Sequence, residues 1–172
     1  RPIDLTQSVP AGGASPFRER SPKHRAYFFR REIDRWSEER KAPVMDGYPQ
    51  YHQNDMALCE GMVIAGITQG HNVDQLSHAM LRTHWLEDTD LADPAPLARL
   101  AESVGMAPQP LLDAALSAGI QAIYQTNTDE AIERSVFGSP TYFVDGDMFY
   151  GQDRLEMVER ALRQPYAPSR TA

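Results

Sequence analysis

The chain has 172 residues, 41% of them hydrophobic, and a formal net charge of −7. That is enough apolar material for one domain with a substantial core, or a small domain with an insert. The acidic balance argues against a nucleic-acid-binding surface, and the absence of any run of ~18 apolar residues argues against a membrane-spanning helix. Cys59 is the one cysteine, so no internal disulfide forms. The opening Arg1-Pro2-Ile3-Asp4-Leu5 lacks the apolar run and cleavage site of a secretory leader, and a reducing, cytoplasmic setting is expected.

In chain order, Ile3 and Leu5 alternate like the end of a strand. Residues 8–22, with three prolines and the adjacent Gly12 and Gly13, read as a loop. Residues 23–40 read as an amphipathic surface helix, with Tyr27, Phe28, Ile33 and Trp36 interleaved with charges of both signs. A second loop, 42–54, ends near Asn54 or Asp55 as a helix cap. Residues 56–67 are apolar nearly all round and predict a buried helix. Val73, Leu76, Met80 and Trp85 give residues 73–86 roughly helical spacing. Asp93-Pro94 is a helix start, running to Val104 and closed by Gly105. Residues 110–125 predict another helix, and 129–135 a short one capped by Asn127 or Thr128. Thr141 to Val144 is strand-like, Asp145-Gly146 is a hairpin turn, and 148–150 is the returning strand. Residues 153–162 form a last amphipathic helix through Leu155, Val158 and Leu162, and 165–172 a flexible tail. A hairpin and one helix cannot bury their own faces and need partner strands, so a further segment before Arg1 is expected.

The most informative stretch is Phe137-Gly138-Ser139-Pro140-Thr141, followed after the hairpin by Gly151-Gln152-Asp153-Arg154. Proline at the head of a strand contributes no N–H to a ladder. A cis Ser139–Pro140 bond would turn the Ser139 backbone N–H and C=O outward, where an extended peptide can pair like an added strand. At the other end, free N–H groups at the start of a helix attract a carboxylate, and the Asp153 carboxylate can meet an ammonium group. Those are the parts that hold a γ-glutamyl tripeptide. On physical grounds alone the simpler reading stands ahead: a turn at Ser139-Pro140 and a helix cap at Asp153.

These motifs resemble those of the 2-hydroxychromene-2-carboxylate isomerases, which group with the kappa-class glutathione transferases and DsbA-like proteins. Further matches are Pro2-Ile3-Asp4-Leu5, Ile33-Asp34-Arg35-Trp36 and Asp129-Glu130-Ala131-Ile132-Glu133-Arg134. The resemblance implies an α/β, thioredoxin-like fold with a large all-helical insertion. Residues 1–22 and 136–164 would form the thioredoxin-like part and 23–135 the insertion, with the first strand and helix of the fold lying before Arg1. It also implies glutathione as cofactor, bound by Ser139, Pro140, Tyr150, Gly151, Gln152 and Asp153. The partners would be glutathione and a small aromatic substrate, with the protein a homodimer. Substrate contacts would be Arg20 and a tyrosine, Tyr51 or Tyr48. The implied chemistry is redox-neutral isomerisation of an aromatic-degradation intermediate by reversible thiolate addition. The family's thiolate-stabilising serine would lie upstream of Arg1, so little turnover is expected from these residues alone.

Two other readings remain open. One is a DsbA-like thiol–disulfide oxidoreductase with its cysteine pair upstream. The other is a binding or interaction protein without catalysis. Cys59, in an apolar run, reads as a buried inert thiol. His71, His78 and His84 do not have zinc-ligand spacing, and no metal is expected.

Overall fold

A computed structural model describes residues 1–15 and 19–168, apart from the side chain of Phe29. The order is a block of helices followed by a hairpin and a last helix. The elements are α1 (Leu5–Ala11), α2 (Pro22–Ala26), a π-helical turn (Tyr27–Glu32), α3 (Ile33–Arg40), α4 (Ala57–Thr68) and α5 (Asp74–Glu87). After them come α6 (Pro94–Ser103), α7 (Pro108–Ala115), α8 (Ala118–Glu133), β1 (Thr141–Val144), β2 (Asp147–Tyr150), a 3-10 turn (Gln152–Arg154) and α9 (Leu155–Arg163). Among the described residues no helix is long and apolar enough to cross a membrane.

The core lies in the helical block. Helix α4 is its axis: Cys59, Met62, Ile64 and Ala65 are buried among Leu76, Met80, Leu97 and Leu111. Gly61 lets α7 approach α4, because a Cβ there would run into the carbonyl of Ala115. Gln121 seals the seam, its Nε2 donating to the carbonyls of Ala115 (2.8 Å) and Ala57 (3.3 Å). Asp93 caps α6 as expected, accepting from Ala95 N at 2.8 Å.

Four expectations are corrected. Residues 3–5 form no strand: Asp4 caps α1, its carboxylate accepting from Thr6 N, Thr6 Oγ1 and Gln7 Nε2. The helix then takes in Pro10 and ends at Gly12, so the loop expected from residue 8 begins later. The helix expected at 110–125 is two, broken where Ser117 caps α8. The helix expected at 129–135 is the end of α8, which runs straight through Asn127 and Thr128. Those two residues face inward instead of capping. Thr128 Oγ1 accepts from Asp4 N at 2.9 Å and donates to Tyr124 O, while Asn127 Nδ2 donates to Pro2 O at 3.2 Å. Their side chains hold the N-terminal segment against α8.

The hairpin forms as read. Thr141 pairs with Tyr150 and Val144 with Asp147 in antiparallel register. Asp145 and Gly146 both have positive φ, 51° and 89°, as a two-residue turn matched to strand twist requires.

Candidate active site

A cleft of about 590 Å³ lies between the α2–α3 helix and the end of the hairpin. That volume suits a small molecule. One wall is formed by Ser139, Pro140 and the stretch from Tyr150 to Arg154; the other by Phe28, Glu32, Ile33, Trp36, Ser37 and Arg40, with Ala42 and Val44 beyond the helix end. All six residues expected to contact glutathione therefore line one cleft. Arg20 and Tyr51 do not. Arg20 donates from Nε to Ser15 O at 3.3 Å, and Tyr51 sits half-buried in the turn before His52.

The first wall is built by close packing. The Ser139–Pro140 bond is cis. Pro140 O accepts from Gly151 N at 3.0 Å, which draws the two motifs together across the hairpin. Gly138 lies under the Tyr150 ring, where a Cβ would collide with it, and Phe137 meets the same ring edge-on at 4.9 Å between centroids. Gly151 has φ +111°, a conformation that favours glycine, and brings the Asp153 carboxylate up beside its own Cα. Ser139 is exposed, and among the described residues its backbone N–H and C=O make no backbone hydrogen bond.

Asp153 does not cap a helix. Neither the 3-10 turn nor α9 has a side-chain cap at its start, and the Asp153 carboxylate is paired with Arg154. The N–H groups of Gln152 and Asp153 make no backbone hydrogen bond among the described residues. Donors and a carboxylate thus sit side by side at one end of the cleft, as an amino-acid headgroup requires.

The second wall was not read from the sequence. Phe28, Glu32, Trp36 and Arg40 recur every fourth residue, a visible signal, but only the packing turns that row toward the hairpin. Arg30, in the π turn, fastens the following loop: its guanidinium donates to Met45 O and Gly47 O and pairs with Asp34 at 3.1 Å. From the other side the loop is tied to α5. Met45 N donates to Trp85 O and Gln50 N to Asp88 Oδ1, each at 2.8 Å. His52 Nδ1 lies 2.9 Å from His84 Nε2, and His84 Nδ1 lies 3.0 Å from Thr89 O. A carbonyl only accepts, so His84 carries its proton on Nδ1 and His52 donates to the pair. Burial, with His84 alongside, pushes the His52 pKa down to about 4. Elsewhere, burial pushes Glu60 up to about 7; Tyr124 bonds to its carboxyl group, and Oε2 is buried without a hydrogen-bond partner. Burial also pushes the Cys59 thiol up to about 12.

Comparison with known proteins places this architecture. Residues 1–163 match the family model of the DSBA-like thioredoxin domain. The chain is 29% identical over 164 residues to a 2-hydroxychromene-2-carboxylate isomerase of Sphingobium xenophagum, covering 94% of this chain and 80% of that protein. A 2-hydroxychromene-2-carboxylate isomerase of Pseudomonas putida is 51% identical over 39 residues, 23% of this chain and 19% of the relative. A solved 2-hydroxychromene-2-carboxylate isomerase structure superposes with a TM-score of 0.73 at 24% identity, over 94% of this chain and 77% of that one.

Proposed function

The chain belongs to the DSBA-like thioredoxin domain family, and from that membership we propose that it is a glutathione-dependent isomerase of the 2-hydroxychromene-2-carboxylate isomerase type. It would act on an aromatic-degradation intermediate, as a homodimer in the cytoplasm. The observation that carries this reading is the convergence of Ser139, Pro140, Tyr150, Gly151, Gln152 and Asp153 on one wall of a single cleft.

The residues present fit glutathione. The exposed Ser139 backbone offers one donor and one acceptor to an extended peptide. The Asp153 carboxylate suits the γ-glutamyl ammonium, and the N–H groups of Gln152 and Asp153 suit its carboxylate. Bound there, glutathione would supply the thiolate that adds to a conjugated double bond and later leaves, which is redox-neutral. These residues would bind and orient glutathione, and Phe28, Ile33 and Trp36 on the opposite wall would offer apolar surface to the acceptor.

Cys59 is buried and held protonated, so it is no candidate for the thiol of a dithiol–disulfide exchange. Titration calorimetry with glutathione tests the reading. Saturable heat is expected; a folded protein that gives none overturns it. Sedimentation decides the dimer.

A further inference from the structure

Glutathione held along Ser139 and residues 151–153 would leave the opposite wall of the cleft open. That wall is chemically lopsided. Phe28, Ile33 and Trp36 present an apolar, aromatic surface, and at its end stands the guanidinium of Arg40. Arg40 lies over the Trp36 ring, 5.3 Å from its centroid. The attraction between cation and ring face holds the head beside the aromatic surface instead of letting it sweep through solvent. Glu38, Glu39 and Lys41 adjoin Arg40 along the chain without an ion pair among the described residues, and the acidic groups nearer the cleft are engaged elsewhere. Glu32 is bonded to Arg35 at 2.6 Å, Asp153 to Arg154, and Asp34 and Asp46 to Arg30. Among the described residues Arg40 has no acidic partner. A guanidinium carries its donors in a planar fork that matches a carboxylate at two points.

We propose that Arg40 and Trp36 form the specificity site for the organic substrate, whose ring lies against Trp36 and Phe28 and whose carboxylate is received by Arg40. This rests on the isomerase function proposed above and gives these residues the part expected of Arg20 and Tyr51, neither of which lines the cleft. An arginine in the last turn of a helix also interacts favourably with the helix dipole. That role alone would change stability and leave ligand binding untouched.

The probe is trans-cinnamate, a conjugated aromatic carboxylate, with its neutral amide as control. Each is titrated without glutathione into the parent, R40Q, R40K and W36L proteins, with melting temperatures measured alongside. R40Q is expected to weaken cinnamate about tenfold or more, the loss of a hydrogen-bonded charge, and to leave the amide unchanged. R40K should recover part of the loss, and W36L should weaken both ligands. Glutathione affinity should be the same in R40Q as in the parent. A folded R40Q that binds cinnamate as tightly as the parent overturns the proposal, as does a parent that binds no cinnamate or an R40Q that loses glutathione instead. If glutathione fails to bind the parent while cinnamate binding still depends on Arg40, the glutathione assignment falls and the Arg40 site stands.

Discussion

The helical block and the cleft obey different rules. Around α4 the side chains are apolar and enclosed: Met62, Leu76 and Leu97 have no exposed surface at all. Around the hairpin the structure is thin. Two four-residue strands pair only with each other among the described residues, and Tyr150, Asp153 and Arg154 face solvent. Burial is concentrated in the helical block, while the hairpin end leaves backbone groups and an Asp153–Arg154 ion pair at the surface. Substitutions in the two regions should therefore fail in different assays.

The largest separation should come from Leu97→Ala. Removing a fully buried leucine side chain costs about 2–5 kcal/mol, which lowers the melting temperature by on the order of 10 °C in a chain of this size. Glutathione affinity of the folded fraction should not change; a parallel loss of binding would mean that cleft and core are not separable. Asp153→Asn is the converse. Because Asp153 caps nothing, the melt should stay within about 0.5 kcal/mol of the parent. Glutathione affinity should drop by about 1.5–3 kcal/mol, read by calorimetry.

Two half-buried titratable groups away from the cleft, Glu60 in α4 and His52 in the loop before it, give smaller and opposite pH effects. Glu60 is neutral in the fold up to about pH 7, well above an ordinary carboxylic acid. Its contribution is present in full below about pH 4.5 and is lost as pH rises to about 7, because the unfolded chain releases the proton first. Glu60→Gln should remove that slope and leave the protein about 1–2 kcal/mol more stable than the parent at pH 8, by urea midpoint. His52 runs the other way. With its pKa pushed down to about 4, the unfolded chain takes up the proton first, and stability is lost as pH falls from about 6.5 to about 4. His52 keeps some contact with solvent, and screening reduces the effect to about 1 kcal/mol. His52→Gln should flatten the acid limb by that amount; an unaltered limb would mean that the His52–His84 pair does not control it.

How much of this was legible in the sequence depended on locality. Asp145-Gly146 and Asp93-Pro94 act on their own neighbours, and both elements form where they were expected. The wall of Ser139, Pro140 and residues 150–154 was singled out because its two motifs flank one hairpin and resemble those of a known family, while their local chemistry alone favoured a plain turn and cap. Asn127 and Thr128 were misread because the hydrogen bonds that suit them to capping serve equally to hold Pro2 and Asp4, more than a hundred positions away. Ile3 and Leu5 alternate as a strand does, but Asp4 between them starts a helix. The opposite wall was invisible as a wall. Nothing local in Trp36 or Arg40 says that their helix will lie across from Gly151.

The π-helical turn at Tyr27–Glu32 sets the angular phase of everything that follows it. Such a turn holds one residue more than an α-turn. If the same letters were wound as continuous α-helix, Trp36 and Arg40 would swing by about 100° relative to His24 and Arg25, away from the cleft. The helix is therefore unevenly tolerant of length changes. Deleting one residue between 27 and 32 should rewind the turn as α-helix and leave Trp36 and Arg40 pointing as they do. Inserting one between Ile33 and Trp36 should rotate both off the wall. The aromatic face is as much a matter of winding as of composition.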